Sequence, residues 1–209
     1  MALNLDTTQL FAIAAAMGWA SGLRLYAVVF LTGLAGLLGW VELPAGLQVL
    51  QNPLLLGAAG VMLAVEFFAD KIPGLDSVWD AVHTFIRIPA GMALAAGVFG
   101  GDSTTWATIG ALMGGALAAT SHAAKATTRA AANTSPEPFT NIALSLLGDA
   151  AVPGMLWLSW AHPLWFFVAL AIALAAMLTV IVVLFRFLRG LVRRFRVDPA
   201  ADRQLRQLQ

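Results

Sequence analysis

Residues 54–76 read LLLGAAGVMLAVEFFADKIPGLD: an apolar run ends on Glu66, Asp70 and Lys71 and then on Pro73-Gly74. Ionisable side chains are costly in or beside a hydrocarbon layer, so such a cluster points to a site or to paired partners. Proline has no N–H and disfavours helix at the residue before it, so Pro73-Gly74 ends or breaks a helix. At membrane depth the freed backbone groups must be buried in protein or face water. The stretch therefore raises two questions together, how the chain crosses a membrane and what its charges do there.

The whole chain supports the membrane setting. Of its 209 residues 60% are hydrophobic and 11% charged, with a mean hydropathy of +0.82, against roughly 45–50% apolar and about 25% charged in a soluble domain. One transmembrane domain over 1–190 is expected, followed by a basic cytoplasmic tail at 191–209. The net charge of +1 selects no partner, and nothing suggests nucleic acid. The absence of cysteine removes disulfides, thiolate chemistry and cysteine-ligated zinc. The start, MALNLDTTQLF, lacks a basic n-region and reads as the beginning of the first span.

Spans of about 20 apolar residues are expected at about 9–38 (interrupted by SGLR at 21–24), 53–69, 83–100 (with Pro89 inside), 105–124, 139–158 and 163–187. Arg186, Arg189, Arg193, Arg194 and Arg196 place the C-terminus in the cytoplasm. Six spans then put the N-terminus there too. The loops after spans 2 and 4 carry Lys71, Arg87, Lys125 and Arg129, whereas those after spans 1, 3 and 5 carry only Glu42 and Asp102, as that orientation requires. Trp40, Trp106, Trp157, Trp160 and Trp165 would form an aromatic belt at the outer interface.

ADKIPG (69–74) has an echo in GDAAVPG (148–154), each followed by tryptophan and then by His83 or His162. The echo suggests two three-span repeats, about 1–100 and 101–190, which an odd span count would make inverted. The expected fold is thus all-α, six transmembrane helices in two inverted repeats, with helices broken or re-entrant at Pro73, Gly74, Pro153 and Gly154.

The candidate substrate or proton site follows from the buried charge. Arg24, about fifteen residues into span 1, should pair with Glu66 and Asp70. His122, Lys125 and Arg129 share a helical face, at i, i+3 and i+7, and should face Asp149. Whether such pairs are functional or only lock helices is open at this level. Asp76, Asp80, His83 and Arg87 form one stripe, at i, i+4, i+7 and i+11, of an amphipathic helix. That helix would lie at the cytoplasmic interface or line a polar cavity, the former being commoner. Gly18-x-x-x-Gly22 and Gly110-x-x-x-Gly114 suggest close packing of span 1 on span 4.

No P-loop, H-E-x-x-H or G-x-S-x-G occurs, so no enzyme and no cofactor is expected. The histidines lack ligand spacing, so no metal is expected, and His83 and His162 read as packing or interfacial residues.

EFFADKIPGLDSVWDAVHTFIRIPAG (66–91), with SGLRLY upstream and GDAAVPG downstream, resembles a widespread bacterial family of small membrane proteins, domain of unknown function 4126. The resemblance covers about 10–185. It implies a bacterial inner-membrane location and brings no activity with it. The expected function is a small transporter or lipid-carrier translocator for an anionic or amphiphilic substrate, with proton coupling left open. The alternative is a non-catalytic scaffold or assembly partner whose charges are structural. Membrane lipids are expected partners, and a homo-oligomer is left open.

Overall fold

The computed structural model describes residues 5–100, 103–134 and 139–195, the last five by backbone alone. Asp102, the side chains of Arg193 and Arg194, and the tail from Arg196 lie outside the described residues. Among those described, every regular element is helical: α1 (Thr7–Leu37), a short 3-10 helix (Ala45–Gln51), α2 (Pro53–Ala69), α3 (Leu75–Val98), α4 (Thr104–Ala132), α5 (Phe139–Ala161) and α6 (Pro163–Phe195).

Local sequence sets the helix starts. Asp6 caps α1, accepting from Gln9 N at 2.7 Å. Asn52 caps α2, accepting from Leu54 N at 2.9 Å, with Pro53 in the first turn, where its missing N–H costs nothing. Gly74, at φ +85°, supplies the left-handed residue that turns the chain from α2 into α3.

The decisive feature is α1. Arg24 leaves helical geometry (φ −145°, ψ 73°), and the arms on either side, residues 7–23 (α1a) and 25–37 (α1b), fold back on each other. Thr32 Oγ1 donates to Met17 Sδ at 3.8 Å. A straight helix would hold these residues roughly 22 Å apart at 1.5 Å per residue. Gln9 donates to the Trp160 carbonyl at 3.0 Å, while Leu31, Thr32 and Ala35 share a cavity with Trp160. Both arms thus run from Arg24 to one end of the bundle, and the first expected span is a hairpin with Arg24 at its tip.

The other helices align to this hairpin. Phe11 meets Phe99 and Trp106 edge-on at 5.1 and 5.7 Å. Lower down, Gly18 lies against the Gly114 backbone and Gly22 against Ala118 and Ser121, leaving no room for a Cβ at either glycine. The packing of span 1 on span 4 read from the glycine spacing is therefore present. Met177 of α6 lies 3.4 Å from Trp19 Nε1. One end of the bundle gathers tryptophans, with Trp40, Trp106, Trp157 and Trp165 exposed; the other gathers the charges.

Helices α1a, α2, α4 and α6 descend from the tryptophan end, and α1b, α3 and α5 return to it. This is an odd number of traverses, so Thr7 and Gly190 sit at opposite ends of the bundle, contrary to the expectation of same-side termini. The core is α1a itself, where Ala12, Ile13, Ala14 and Met17 are fully buried.

Two further expectations are corrected. The amphipathic segment 75–89 is not a surface-lying helix: it is continuous with the third span in α3, with Pro89 inside. Its polar stripe faces inward, Asp76, Asp80, His83 and Arg87 all being buried, while Val78, Val82 and Phe85 are exposed. The stripe is mixed in sign and finds opposite charges on α2 and α4, which an interface would not supply. Helix α5 likewise runs unbroken through Pro153 and Gly154. Proline only removes the bond to the carbonyl four residues back, that of Asp149, and flanking turns carry the helix past it.

Helices α1, α3, α5 and α6 are long and apolar enough to cross a membrane, and the 3-10 helix with α2, bent by 70°, passes jointly. The polar residues near its C-terminal end keep α4 from the same composition.

Candidate functional site

Among the described residues, five acids and five bases meet at the charged end, supplied by α1 to α5 and the turn after α2. Arg24 at the hairpin tip holds Asp70 through Nη1 and Asp149 through Nη2, both at 2.8 Å. Asp70 also takes Lys125 at 2.7 Å and lies 4.0 Å from Arg129. Arg87 reaches Glu66 at 2.5 Å and Asp80 at 2.8 Å. Lys125 touches Asp80 at 3.0 Å, Arg129 Asp76 at 3.5 Å, and Lys71 Asp149 at 3.3 Å.

Backbone ends are tied into the same network. Lys125 donates to the Leu23 carbonyl, beside the break in α1, at 3.3 Å. Arg129 donates to the Asp70 carbonyl at 2.7 Å, capping the end of α2. The cations thus serve as C-terminal caps as well as counter-ions, favourable at helix C-termini.

The expected partnerships hold only in part. Arg24 pairs with Asp70 as read, but it meets Glu66 only at the backbone carbonyl, at 3.4 Å. The Glu66 carboxylate belongs to Arg87. Asp149 does not face His122, Lys125 or Arg129; it faces Arg24 and Lys71. The α4 cations are taken by acids of α2 and α3, because α4 packs between α1 and α3. Lys71, Arg87, Lys125 and Arg129, read as loop charges marking the cytoplasm, are members of this network instead.

His122 Nε2 lies 2.7 Å from Thr84 Oγ1 and its Nδ1 3.4 Å from Arg87 Nη1. His83 lies 3.1 Å from the Tyr26 hydroxyl and stacks on Trp79 at 4.1 Å. Both histidines are buried polar links in the helix packing. His162, by contrast, is exposed in the turn between α5 and α6, against Trp157.

The two Asp…Pro-Gly segments, with two residues between Asp70 and Pro73 and three between Asp149 and Pro153, are not equivalent. Asp70 ends α2, and Pro73 and Gly74 form an exposed turn; Asp149 lies mid-helix in α5. The glycine-rich segments GWASGLRLY (18–26) and GGALAATSHAAK (114–125), which the repeat would match to one another, run parallel along α1a and α4, whereas an inverted repeat requires them antiparallel.

The sequence reading missed Ser145 and Asn141. Ser145 Oγ accepts from Arg24 Nη2 at 2.8 Å and from Lys71 Nζ at 3.1 Å, and Asn141 accepts from Arg129 through its carbonyl at 3.0 Å. The signal was present: Asn141, Ser145 and Asp149 fall at i, i+4 and i+8, a polar stripe on α5.

A cavity of about 730 Å³ opens beside this network between α4, α5 and α6. Its inner wall carries Arg24, Asp70, Lys125 and Arg129 with Ser145 and Thr128; the rest is apolar, from Leu144, Met155, Met177 and Val180 among others. Three cations and one carboxylate stand on that wall, the cations paired with buried acids, while the apolar walls suit a hydrocarbon chain. Glu66, Asp70 and Asp80 each keep one buried carboxylate oxygen with no hydrogen bond among the described residues.

Comparison with known proteins gives one match. The family profile Domain of unknown function (DUF4126) fits residues 11–183, most of the chain, and the chain belongs to that family. No curated protein and no solved structure matches.

Proposed function

We propose that this member of the DUF4126 family is a small membrane transporter or lipid-carrier translocator that takes an anionic amphiphile. The observation that carries this reading is the 730 Å³ cavity, apolar along α5 and α6 and bounded at its inner wall by the ion-paired Arg24, Lys125 and Arg129. A charged headgroup would rest against that wall and its chain against the apolar sides. Helix α6 contributes no charge to the network and is mostly exposed along its length, so a lipid-like molecule would approach past it from the bilayer.

The protein then acts by binding and moving a molecule, with no covalent step, no cofactor and no nucleic acid. We place it in the inner membrane of a bacterium, with the charged end and Arg186 and Arg189 toward the cytoplasm. The start of α1 would then face outward. The charge layer lies roughly 25 Å from the tryptophan end, counted along α1a, against a hydrocarbon core of about 30 Å. It therefore nears the cytoplasmic interface and is not at the midplane. Proton coupling would use the buried carboxylates.

The balanced charges favour a second reading, a scaffold in which the ion pairs only lock helices. The apolar cavity beside the network weighs against it, since ion pairs that only lock helices need no such space. Native mass spectrometry of the purified protein decides between them. Co-purifying anionic lipid that is lost on blocking the cavity with Ala151→Trp supports transport; a lipid-free protein in gentle detergent supports the scaffold.

A further inference from the structure

Resting on that reading of the cavity, we propose that Asp149 is a built-in competitor for the substrate's anionic group. It occupies Arg24 and Lys71 in the empty protein, and a phosphate or carboxylate headgroup takes its place.

Accessibility singles this carboxylate out. Its side chain is 23% exposed, whereas those of Glu66, Asp70, Asp76 and Asp80 are at most 2% exposed. Its partner Lys71 is 20% exposed, and the other four bases at most 9%. The network meets its surroundings chiefly at this one pair.

The donors are arranged for an oxyanion. Asp149 presents Oδ1 to Arg24 Nη2 at 2.8 Å and Oδ2 to Lys71 Nζ at 3.3 Å. Ser145 Oγ accepts from the same two cations, which leaves its own O–H to donate. Two cationic donors and a hydroxyl converging on one point form a cradle for a phosphate or carboxylate. Arg24, Ser145 and Gly148 line the cavity, whereas Lys71 and Asp149 lie just behind that wall, so a headgroup would reach the cradle past the Arg24–Ser145 edge.

The site survives the exchange. With Asp149 gone, Arg24 is still held by Asp70 at 2.8 Å and by the Glu66 carbonyl. Asp70, by contrast, ties down Arg24 and Lys125 together and could not leave without stranding both. Helix α5 is also built to yield here. Pro153 leaves the Asp149 carbonyl without its helical donor, and the only outside atom near a Cβ at Gly148 would be Arg24 Nε, at 3.8 Å. Asp149 can turn toward its exposed side while the incoming anion restores the charge balance.

A tethered competitor weakens the resting affinity, so removing it should tighten binding. The test is a native mass spectrometry titration of the full-length protein in detergent with 1-oleoyl lysophosphatidic acid and, separately, inorganic phosphate. Asp149→Asn should bind the lysolipid at least tenfold more tightly than wild type. Ser145→Ala and Lys71→Gln, which leave Arg24 paired, should bind it at least fivefold more weakly. Unchanged or weaker binding by Asp149→Asn overturns the proposal, as does an Asn variant that does not fold, since Asp149 would then be structural. Should Ser145→Ala, which disturbs no charge, bind as wild type does, the cradle is wrong. Lysolipid binding in no protein, wild type included, removes the cavity reading itself. Inorganic phosphate binding as tightly as the lysolipid would keep the competitor and discard the amphiphile.

Discussion

Asp70 and Asp149, seventy-nine positions apart, are bound by opposite nitrogens of the same guanidinium, each 2.8 Å from Arg24. One belongs to the end of α2 and the other to the middle of α5. The hairpin tip is thus the joint between the two halves of the chain. Replacing Arg24 strands two carboxylates, one of them fully buried. Breaking a buried pair by removing one partner costs about 3–5 kcal/mol, so Arg24→Gln should lower the detergent melting temperature sharply. Arg24→Lys should rescue it only in part, because an ammonium cannot present two nitrogens in fork geometry. A melting temperature within a degree or two of wild type for Arg24→Gln would contradict the described network.

The hairpin itself is open to direct chemistry, since the chain has no cysteine. In a Met17→Cys, Thr32→Cys double variant, mild oxidation should join the two thiols as an intrachain disulfide, scored by intact mass, because both side chains are buried in direct contact. A single straight span would hold them roughly 22 Å apart and give no link.

Topology follows from the hairpin. Cysteines at Gln9 and Arg189 should label from opposite sides of the membrane with an impermeant maleimide. Labelling from one side would restore an even number of traverses and remove α1b as a returning arm.

Close packing of α1a on α4 rests on Gly18 and Gly114, whose backbones touch. Gly114→Leu forces the helices apart and should cost at least about 1–3 kcal/mol, read as reduced melting temperature and expression. Gly154, around which a Cβ would meet nothing, is the control, and Gly154→Ala should be neutral or slightly stabilising.

Proline inside α5 should trade stability for motion. An interior proline costs a helix about 3 kcal/mol where its context does not compensate. Pro153→Ala restores the donor for the Asp149 carbonyl and should raise the melting temperature. If Asp149 must swing for exchange, the same variant should release bound lysolipid more slowly than wild type. Faster release would show that the proline serves packing alone.

Much of this protein was legible in its sequence. Composition alone dictates a helical membrane protein, because a chain with 60% hydrophobic residues and long apolar runs must satisfy its backbone within helices. Most helix positions followed from apolar runs, although α3 begins at Leu75 instead of 83 and α4 runs on to Ala132 instead of 124; the packing of span 1 on span 4 followed from glycine spacing, and Arg24, Glu66, Asp70, Lys125 and Asp149 from the cost of charge in apolar surroundings. What the sequence could not decide was direction and partnership. Whether SGLR interrupts a span or reverses it depends on two dihedrals at Arg24, and those are set by carboxylates from α2 and α5 far along the chain. Asp149 was assigned the nearest cations on the next helix, yet the tertiary structure spends those on α2 and α3. Aspartate followed by Pro-Gly makes a turn at 70–74 and continuous helix at 149–154, since proline removes only one donor and neighbouring turns decide the rest. Local residues set which segments are helical and which charges are costly; the packing of seven traverses around one arginine decided how they meet.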